Sequence, residues 1–479
     1  MATQDDKVTL EKQSTTAKGA DDNVSISRIK SVTQGEIVSL DASEVFLREH
    51  NYSDEYLAEL LADEDKNKRL VRKIDFIVLP LLAGTYVLQY IDKQAMSYAA
   101  VFDLFSSTGI TQDQYGWFTS MFYLAYLVAE YPWMWAAQKT RMAKIVSMYT
   151  RPEQPFRAGI FYCCNGFGSM IGGILTYGIG QIQDFPVWKA IFLLCGGVTV
   201  IWGIVMLLFL PDSILTAKRF TLEEKALLIA RGRLAKTGIL NKTVKWAQVG
   251  EAFADPQVWL LFLFVLFNEV INGGYASFGK LIVKGLVTDP LKTTALGIPQ
   301  GAFQVIWILS GTWIASHYKN QRTTVMALYN LPTIIGVSLI WKMDRTDYAN
   351  KIGVLIGYYI SGSYVASLVL ALQMPSANLG GYTKRTSSSA LVFLAYCAGN
   401  VIGPHAFLQQ ESPFYKTGCI VILACAVAQV CVAFGLRMVL QMRNKRRDDA
   451  AAAAQAQHVE AYDGADATDF ENPEFRYLL

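Results

Sequence analysis

Charge is scarce in this chain: Asp, Glu, Lys and Arg make up 17% of its 479 residues, where soluble domains carry about 25%. Histidine is scarcer still. His50, His317, His405 and His458 are scattered through tails and predicted helix ends, where each reads as a surface residue. The seven cysteines (Cys163, Cys164, Cys195, Cys397, Cys419, Cys425, Cys431) all fall in apolar segments, and none has metal-ligand spacing with a histidine. They read as small core residues, not disulfides or ligands. There is no nucleotide-binding loop, no metal cluster and no nucleophile beside a paired base. Without a reactive constellation neither an enzyme nor a cofactor is expected, and nothing points to nucleic acid. Residues 1–73 contain no long apolar run, so no cleavable signal peptide is expected and the first membrane helix must act as its own insertion signal.

What is abundant is apolar sequence. Hydrophobic residues make up 52% of the chain and mean hydropathy is +0.25. The first candidate span runs from Ile74 to about Ala100. From Ile77 to Ile91 it carries no charge, but at 1.5 Å per residue that run reaches only about 22 Å, short of the roughly 30 Å hydrocarbon core. To cross, the helix must continue through Asp92 and Lys93, where each ionisable group costs about 2.5–3.5 kcal/mol. Lys93 shares a helical face with Tyr86, Gln89, Tyr90 and Ser97. Two readings stay open for the charged pair: snorkelling to the outer interface, or lining a water-filled cavity.

Nine further spans are expected at about Tyr115–Ala137, Ala158–Gln181, Trp188–Leu210, Val258–Phe278, Ala295–Ala315, Thr324–Trp341, Ile352–Met374, Ser387–Leu408 and Gly418–Leu440. Ten spans put both termini on one side. Lys139, Arg141, Lys144, Arg151 and Arg157 share a loop on that side. The loop from 211 to 256 is richer still, with eight basic residues from Lys218 to Lys245. The opposite loops carry fewer, so the positive-inside rule makes the termini cytosolic and predicts unoccupied sequons at Asn23, Asn51 and Asn241. The chain divides into a cytosolic tail (1–73), a four-span bundle (74–210), a cytosolic connector (211–256), a six-span bundle (257–441) and a second tail (442–479).

Local signals fill in the connections. Residues 1–50 lack hydrophobic periodicity, so no fixed structure is expected there. Ser53 to Arg72 reads as an amphipathic helix capped by Ser53. Thr221-Leu-Glu-Glu224 is a capping box opening a helix to about Lys236, and Asp255-Pro256 caps the span that follows. The tail from Asp448 reads as solvated.

The candidate functional groups are polar residues inside spans. Glu130 and Glu269 are carboxyls that burial would keep protonated in one conformation and ionised in another, as proton coupling needs. For Glu130 a structural carboxylate paired with a loop arginine is an equal alternative. Asn272, beside Gly273-Gly274, suggests a bent, cavity-lining helix. Gln300 and Gln304 share one face. Asn400 sits in Ala395-x3-Gly399-x3-Gly403, a small-residue stripe like Gly168-x3-Gly172, and both stripes read as packing surfaces.

These residues resemble a family. Tyr90-Ile-Asp-Lys-Gln94, Tyr126-Leu-Val-Ala-Glu130-Tyr-Pro132 and Arg151-Pro-Glu-Gln-Pro-Phe-Arg157 look like its N-terminal half. Asn272-Gly-Gly274, Gly380-Gly-Tyr-Thr-Lys-Arg385, Tyr396-Cys-Ala-Gly-Asn-Val-Ile-Gly-Pro404 and Asp469-Phe-Glu-Asn-Pro-Glu-Phe-Arg476 look like its C-terminal half. The chain is similar to the fungal allantoate permease-like branch of the anion:cation symporters, within the major facilitator superfamily. The resemblance implies an all-α polytopic membrane protein of two bundles, monomeric and in the plasma membrane. It also implies proton-coupled import of a small organic anion such as allantoate, nicotinate or pantothenate. Lys93 would attract the carboxylate, Asp92 would orient Lys93, and Gln89, Asn272, Gln300, Gln304 and Asn400 would complete the site. Glu130 or Glu269 would carry the proton. The family has twelve helices. Here only 18 residues separate Gln138 from Arg157, so helices three and four are expected to be missing. Their loss would turn Gly168-x3-Gly172 and the Tyr123/Tyr126/Glu130 face towards lipid or a gap. The rival reading is a truncated form that transports poorly or not at all.

Overall fold

The structure, a computed structural model, describes residues 30–33, 36–39, 46–47, 49–50, 52–139, 154–209, 219–234, 244–287, 289–318, 320–455, 467–472 and 475–479. The sequons at Asn23, Asn51 and Asn241 and the loop residues Arg141, Lys144 and Arg151 lie outside them. The chain forms two compact units.

The smaller unit comprises residues 1–77, 137–151 and 210–240. It holds an antiparallel pair, β1 (Lys30–Thr33) and β2 (Glu36–Ser39), in which Val32 lies opposite Ile37. This departs from the expectation of no fixed structure before residue 50. Ser53 caps α1 (Asp54–Ala62) by accepting the Tyr56 N–H at 3.2 Å. The helix expected to reach Arg72 instead breaks at Asp63. There the Asp63 carboxylate accepts the N–H groups of Asp65 (3.1 Å) and Lys66 (3.0 Å) and starts α2, Glu64–Val101. A domain boundary at 73/74 therefore falls inside a continuous helix. In α7 (Leu222–Leu234) the capping box closes as the sequence predicts, with the Thr221 N–H on Glu224 at 2.8 Å and the Glu224 N–H on Thr221 Oγ1 at 3.2 Å. Leu47, Leu57, Ala226, Ile229 and Ala230 form the core of this unit.

The larger unit comprises residues 78–136, 152–209 and 241–479. It contains the rest of α2, the short α3 (Leu104–Thr108), α4 (Gln112–Lys139), α5 (Gln154–Ile179) and α6 (Val187–Phe209). After α8 (Trp246–Ala254) come α9 (Pro256–Lys284), α10 (Pro290–His317), α11 (Arg322–Leu328), α12 (Asn330–Lys342), α13 (Tyr348–Ile360), α14 (Tyr364–Asn378), α15 (Tyr382–His405) and α16 (Lys416–Gln455). Asp255 caps α9 through the Gln257 N–H at 2.9 Å, with Pro256 in the first turn.

Among the described residues, seven helices are long and apolar enough to cross a membrane: α2, α6, α9, α11–α12 together, α13–α14 together, α15 and α16. Three others, α4, α5 and α10, run 26–28 residues, about 40 Å at helical rise, and are less apolar. Their polarity has a structural use, because all three present polar or aromatic side chains to the central cavity described below.

Glycines set the closest helix crossings. A side chain on Gly166 would overlap the Gly301 carbonyl, and one on Gly399 or Gly403 would overlap carbonyls of α9. Gly168 and Gly172 pack against Tyr90 and Tyr98 of α2. That corrects the expectation that this stripe would face lipid or a gap: α2 covers it.

The chain end is the largest departure from the sequence reading. The helix α16 runs without interruption across residue 442, and residues 467–472 and 475–479 dock on the helical bundle. Lys384, fully buried in the first turn of α15, is held by Asp469 (2.7 Å), Asp255 (3.2 Å) and Glu251 (2.7 Å). Tyr477 donates to the other Asp469 oxygen at 2.7 Å. Burial, followed by the Asp469 charge, pushes its phenol above the ordinary range. Asn378 and Leu478 exchange two hydrogen bonds of 2.8 Å, and the Arg322 N–H donates to the Leu479 carbonyl at 2.7 Å. The tail read as solvated is a strap across the ends of α11, α14, α15 and α16, because Lys384 at a helix N-terminus needs anions that its own helix does not supply.

Candidate functional site

A cavity of about 560 Å³ lies within the larger unit. Gln89 and Lys93 reach it from α2, Tyr126 and Glu130 from α4, Asn165 from α5, Asn272 from α9 and Gln304 from α10. Aromatic rings make up much of the wall. Tyr86 packs on Phe161 with centroids 4.1 Å apart, and Phe393 stacks on Tyr396 at 6.1 Å.

Lys93 is the electrostatic centre. Its ammonium lies 5.2 Å from the centre of the Tyr123 ring, a cation–π contact. Among the described residues it makes no ion pair and no hydrogen bond. It does interact with the charge of Glu269.

Glu269 is fully buried behind Asn272. One carboxylate oxygen accepts the side-chain N–H groups of Asn272 (3.0 Å) and Asn400. Asn272 also donates to Asn400 at 2.9 Å and accepts from Tyr364 at 3.2 Å. The second oxygen, Oε1, has no hydrogen-bond partner among the described residues. A buried carboxyl with one oxygen free, facing a lysine, has the parts for taking up and giving back a proton.

The structure thus brings Gln89, Lys93, Glu130, Asn272 and Gln304 to one cavity, with Glu269 and Asn400 directly behind it. Glu130 keeps one oxygen unpartnered; Arg141 and Arg151, the loop arginines of the alternative reading, lie outside the described residues. Two candidates lie elsewhere. Asp92 accepts from Thr199 of α6 at 2.7 Å, so it does not orient Lys93; adjacent helical residues point about 100° apart. Gln300 accepts from Tyr358 of α13 and is absent from the cavity wall. Phe161, Tyr162, Phe393 and Tyr396 escape sequence reasoning, since an aromatic in an apolar helix looks the same whether it meets lipid or a cavity. The low apolarity of α5 is the signal that points to Phe161, Tyr162 and Asn165.

Long apolar helices around a polar, aromatic cavity with inward-facing ionisable groups define a membrane transporter. A family model described as Major Facilitator Superfamily matches residues 140–404. An uncharacterized transporter of Schizosaccharomyces pombe is 32% identical over 89% of this chain and 91% of its own length. The allantoate permease of Saccharomyces cerevisiae is 28% identical over 88% of each chain. The crystal structure of tetrameric PepTSo2, 13% identical, shares the fold at a TM-score of 0.50 over 78% of this chain and 99% of that one. The chain belongs to the major facilitator superfamily and is not an enzyme.

Proposed function

We propose that this protein imports a small organic anion together with a proton by alternating access. The supporting observation is Lys93: a cation at an aromatic and amide-lined cavity that makes no ion pair or hydrogen bond among the described residues. A carboxylate at Lys93 satisfies the charge, and the amides of Gln89, Asn272 and Gln304 orient the rest of the molecule. The similarity to an allantoate permease supports a carboxylate cargo. In this reading α4, α5 and α10 cross the membrane with the other seven, and both termini are cytosolic. The protein works as a monomer in the plasma membrane. The first test is uptake of labelled allantoate, nicotinate and pantothenate in a permease-deficient host. Saturable uptake of at least one is expected, and none would refute the assignment.

Glu269 or Glu130 carries the proton in this reading, with Asn272 and Asn400 holding Glu269 in place. Gln copies the shape of the protonated acid and cannot ionise. Glu269→Gln or Glu130→Gln is therefore expected to flatten the pH dependence of uptake or to leave exchange without accumulation. Two Gln variants that concentrate substrate with the unaltered pH profile would clear both residues.

A second reading, a transport-impaired form, draws on the connection between α4 and α5. Only residues 140–153 separate them, against roughly 20 residues per crossing. Inserting the family's helix pair there, about 40–50 residues, is expected to raise both the melting temperature in detergent and the uptake rate. Equal values for the two forms would dispose of the impairment.

A further inference from the structure

Lys280 is a second cation inside the helical bundle, near the end of α9, and the site above does not use it. It is 9% exposed. Its ammonium donates to Gln94 Oε1 at 2.6 Å and Ser97 Oγ at 3.3 Å, and it lies 3.7 Å from the centre of the Tyr98 ring. Among the described residues no carboxylate pairs with it. Burying an ammonium away from an anion costs several kcal/mol, and neutral oxygens with one ring face offset only part of that. If the only task were to join α2 to α9, a neutral amide in place of the lysine would do so at lower cost.

Position supplies the reason for a charge. Lys280 follows Glu269 by eleven residues on α9, which at helical geometry places it on nearly the same face, about 16 Å along the axis. Its partners Gln94 and Ser97 lie within one turn of Lys93 on α2. The two cations therefore lie along one track, Lys93 at the cavity and Lys280 beyond it. The contacts around Lys280 close that end of the bundle. Tyr115 donates to the Ser277 carbonyl at 3.0 Å and Gln112 donates to Tyr415 at 2.7 Å, each joining the four-span to the six-span bundle. Alternating access requires these contacts to part. Lys280 then loses Gln94 and Ser97 and stands as an uncompensated cation in a newly wetted mouth.

We propose that Lys280, with Gln94 and Ser97, is the entry station for the transported molecule. It receives the carboxylate when the outer end opens and hands it to Lys93 as that end closes, when Gln94 and Ser97 take the ammonium back. This inference rests on the organic-anion reading of the preceding section.

The test uses the full chain in a permease-deficient host, with labelled allantoate, nicotinate and pantothenate. For whichever anion is carried, Lys280→Gln is expected to raise the external half-saturation concentration about tenfold or more, the loss of one charge-assisted contact. The maximal rate should change little, and Lys280→Arg should restore most of the affinity. A purely structural latch predicts the opposite split, an altered maximal rate at constant half-saturation, and that outcome would overturn the proposal. Ser97→Cys gives a second measurement that leaves Lys280 intact. The carried anion should protect this cysteine from a cationic thiol reagent added outside, and absence of protection would also overturn the proposal. If the unaltered protein carried none of the three anions, the organic-anion reading itself would fall, taking the entry station with it.

Discussion

Lys93→Ala is expected to abolish saturable uptake of any organic anion that the protein carries, while Lys93→Arg retains part of it. The ammonium faces the cavity and, among the described residues, makes no ion pair or hydrogen bond, although it feels the charge of Glu269, so its charge is available to a ligand. Removing one buried charge-assisted contact costs about 1.5–3 kcal/mol, a loss of roughly 10- to 150-fold in affinity. Arginine keeps the charge but brings a planar fork to a site built around a compact ammonium beside a ring, so rescue should be incomplete. Uptake kinetics across a concentration series give the answer. Unchanged half-saturation and maximal rate would make Lys93 an interface residue of the snorkelling kind.

The second large effect is expected at the other end of the chain. Asp469→Asn should destabilise the protein by about 3–5 kcal/mol, because it removes a carboxylate from a lysine that has no access to water. Lys384 and Asp469 are both fully buried, and Asp469 also accepts from Tyr477. Against total stabilities near 5–15 kcal/mol, that loss should lower the melting temperature in detergent by on the order of 5–10 °C. Asp448→Asn is the control. Asp448 pairs with Arg476 at 2.9 Å, but both side chains are well exposed, so its loss should cost less than about 1 kcal/mol. Equal melting temperatures for the Asp469 and Asp448 variants would show that the strap carries no stability.

The parts of this architecture that were legible in sequence are those decided within a few residues. Ser53, Thr221 with Glu224, and Asp255 with Pro256 all cap the helices that their local patterns announce, because donor and acceptor lie in the same turn. The face shared by Gln89 and Lys93 was legible for the same reason: helical spacing fixes it. What spacing does not fix is the partner on another helix. Gln300 and Gln304 share a face in sequence, yet Tyr358 takes the first and the cavity takes the second. Asp92 stands beside Lys93 in the chain, yet Thr199, 107 positions away, claims its carboxylate. The strap was hidden on the same grounds, since Lys384 and Asp469 are 85 positions apart and neither residue signals burial by itself. The resemblance pointed to the terminal motif but assigned it no structural role.

The docking of Leu479 bears on how the protein is handled at the bench. The Leu479 carbonyl already accepts a hydrogen bond from the backbone of Arg322, and Tyr477 two residues earlier is 2% exposed. A fluorescent reporter or affinity handle inserted directly after Leu479 would place foreign chain beside a helix end. Microscopy or purification through that end would then observe a protein with a disturbed strap. Retention inside the cell by such a fusion would report on the handle and carry no information about where the native protein resides.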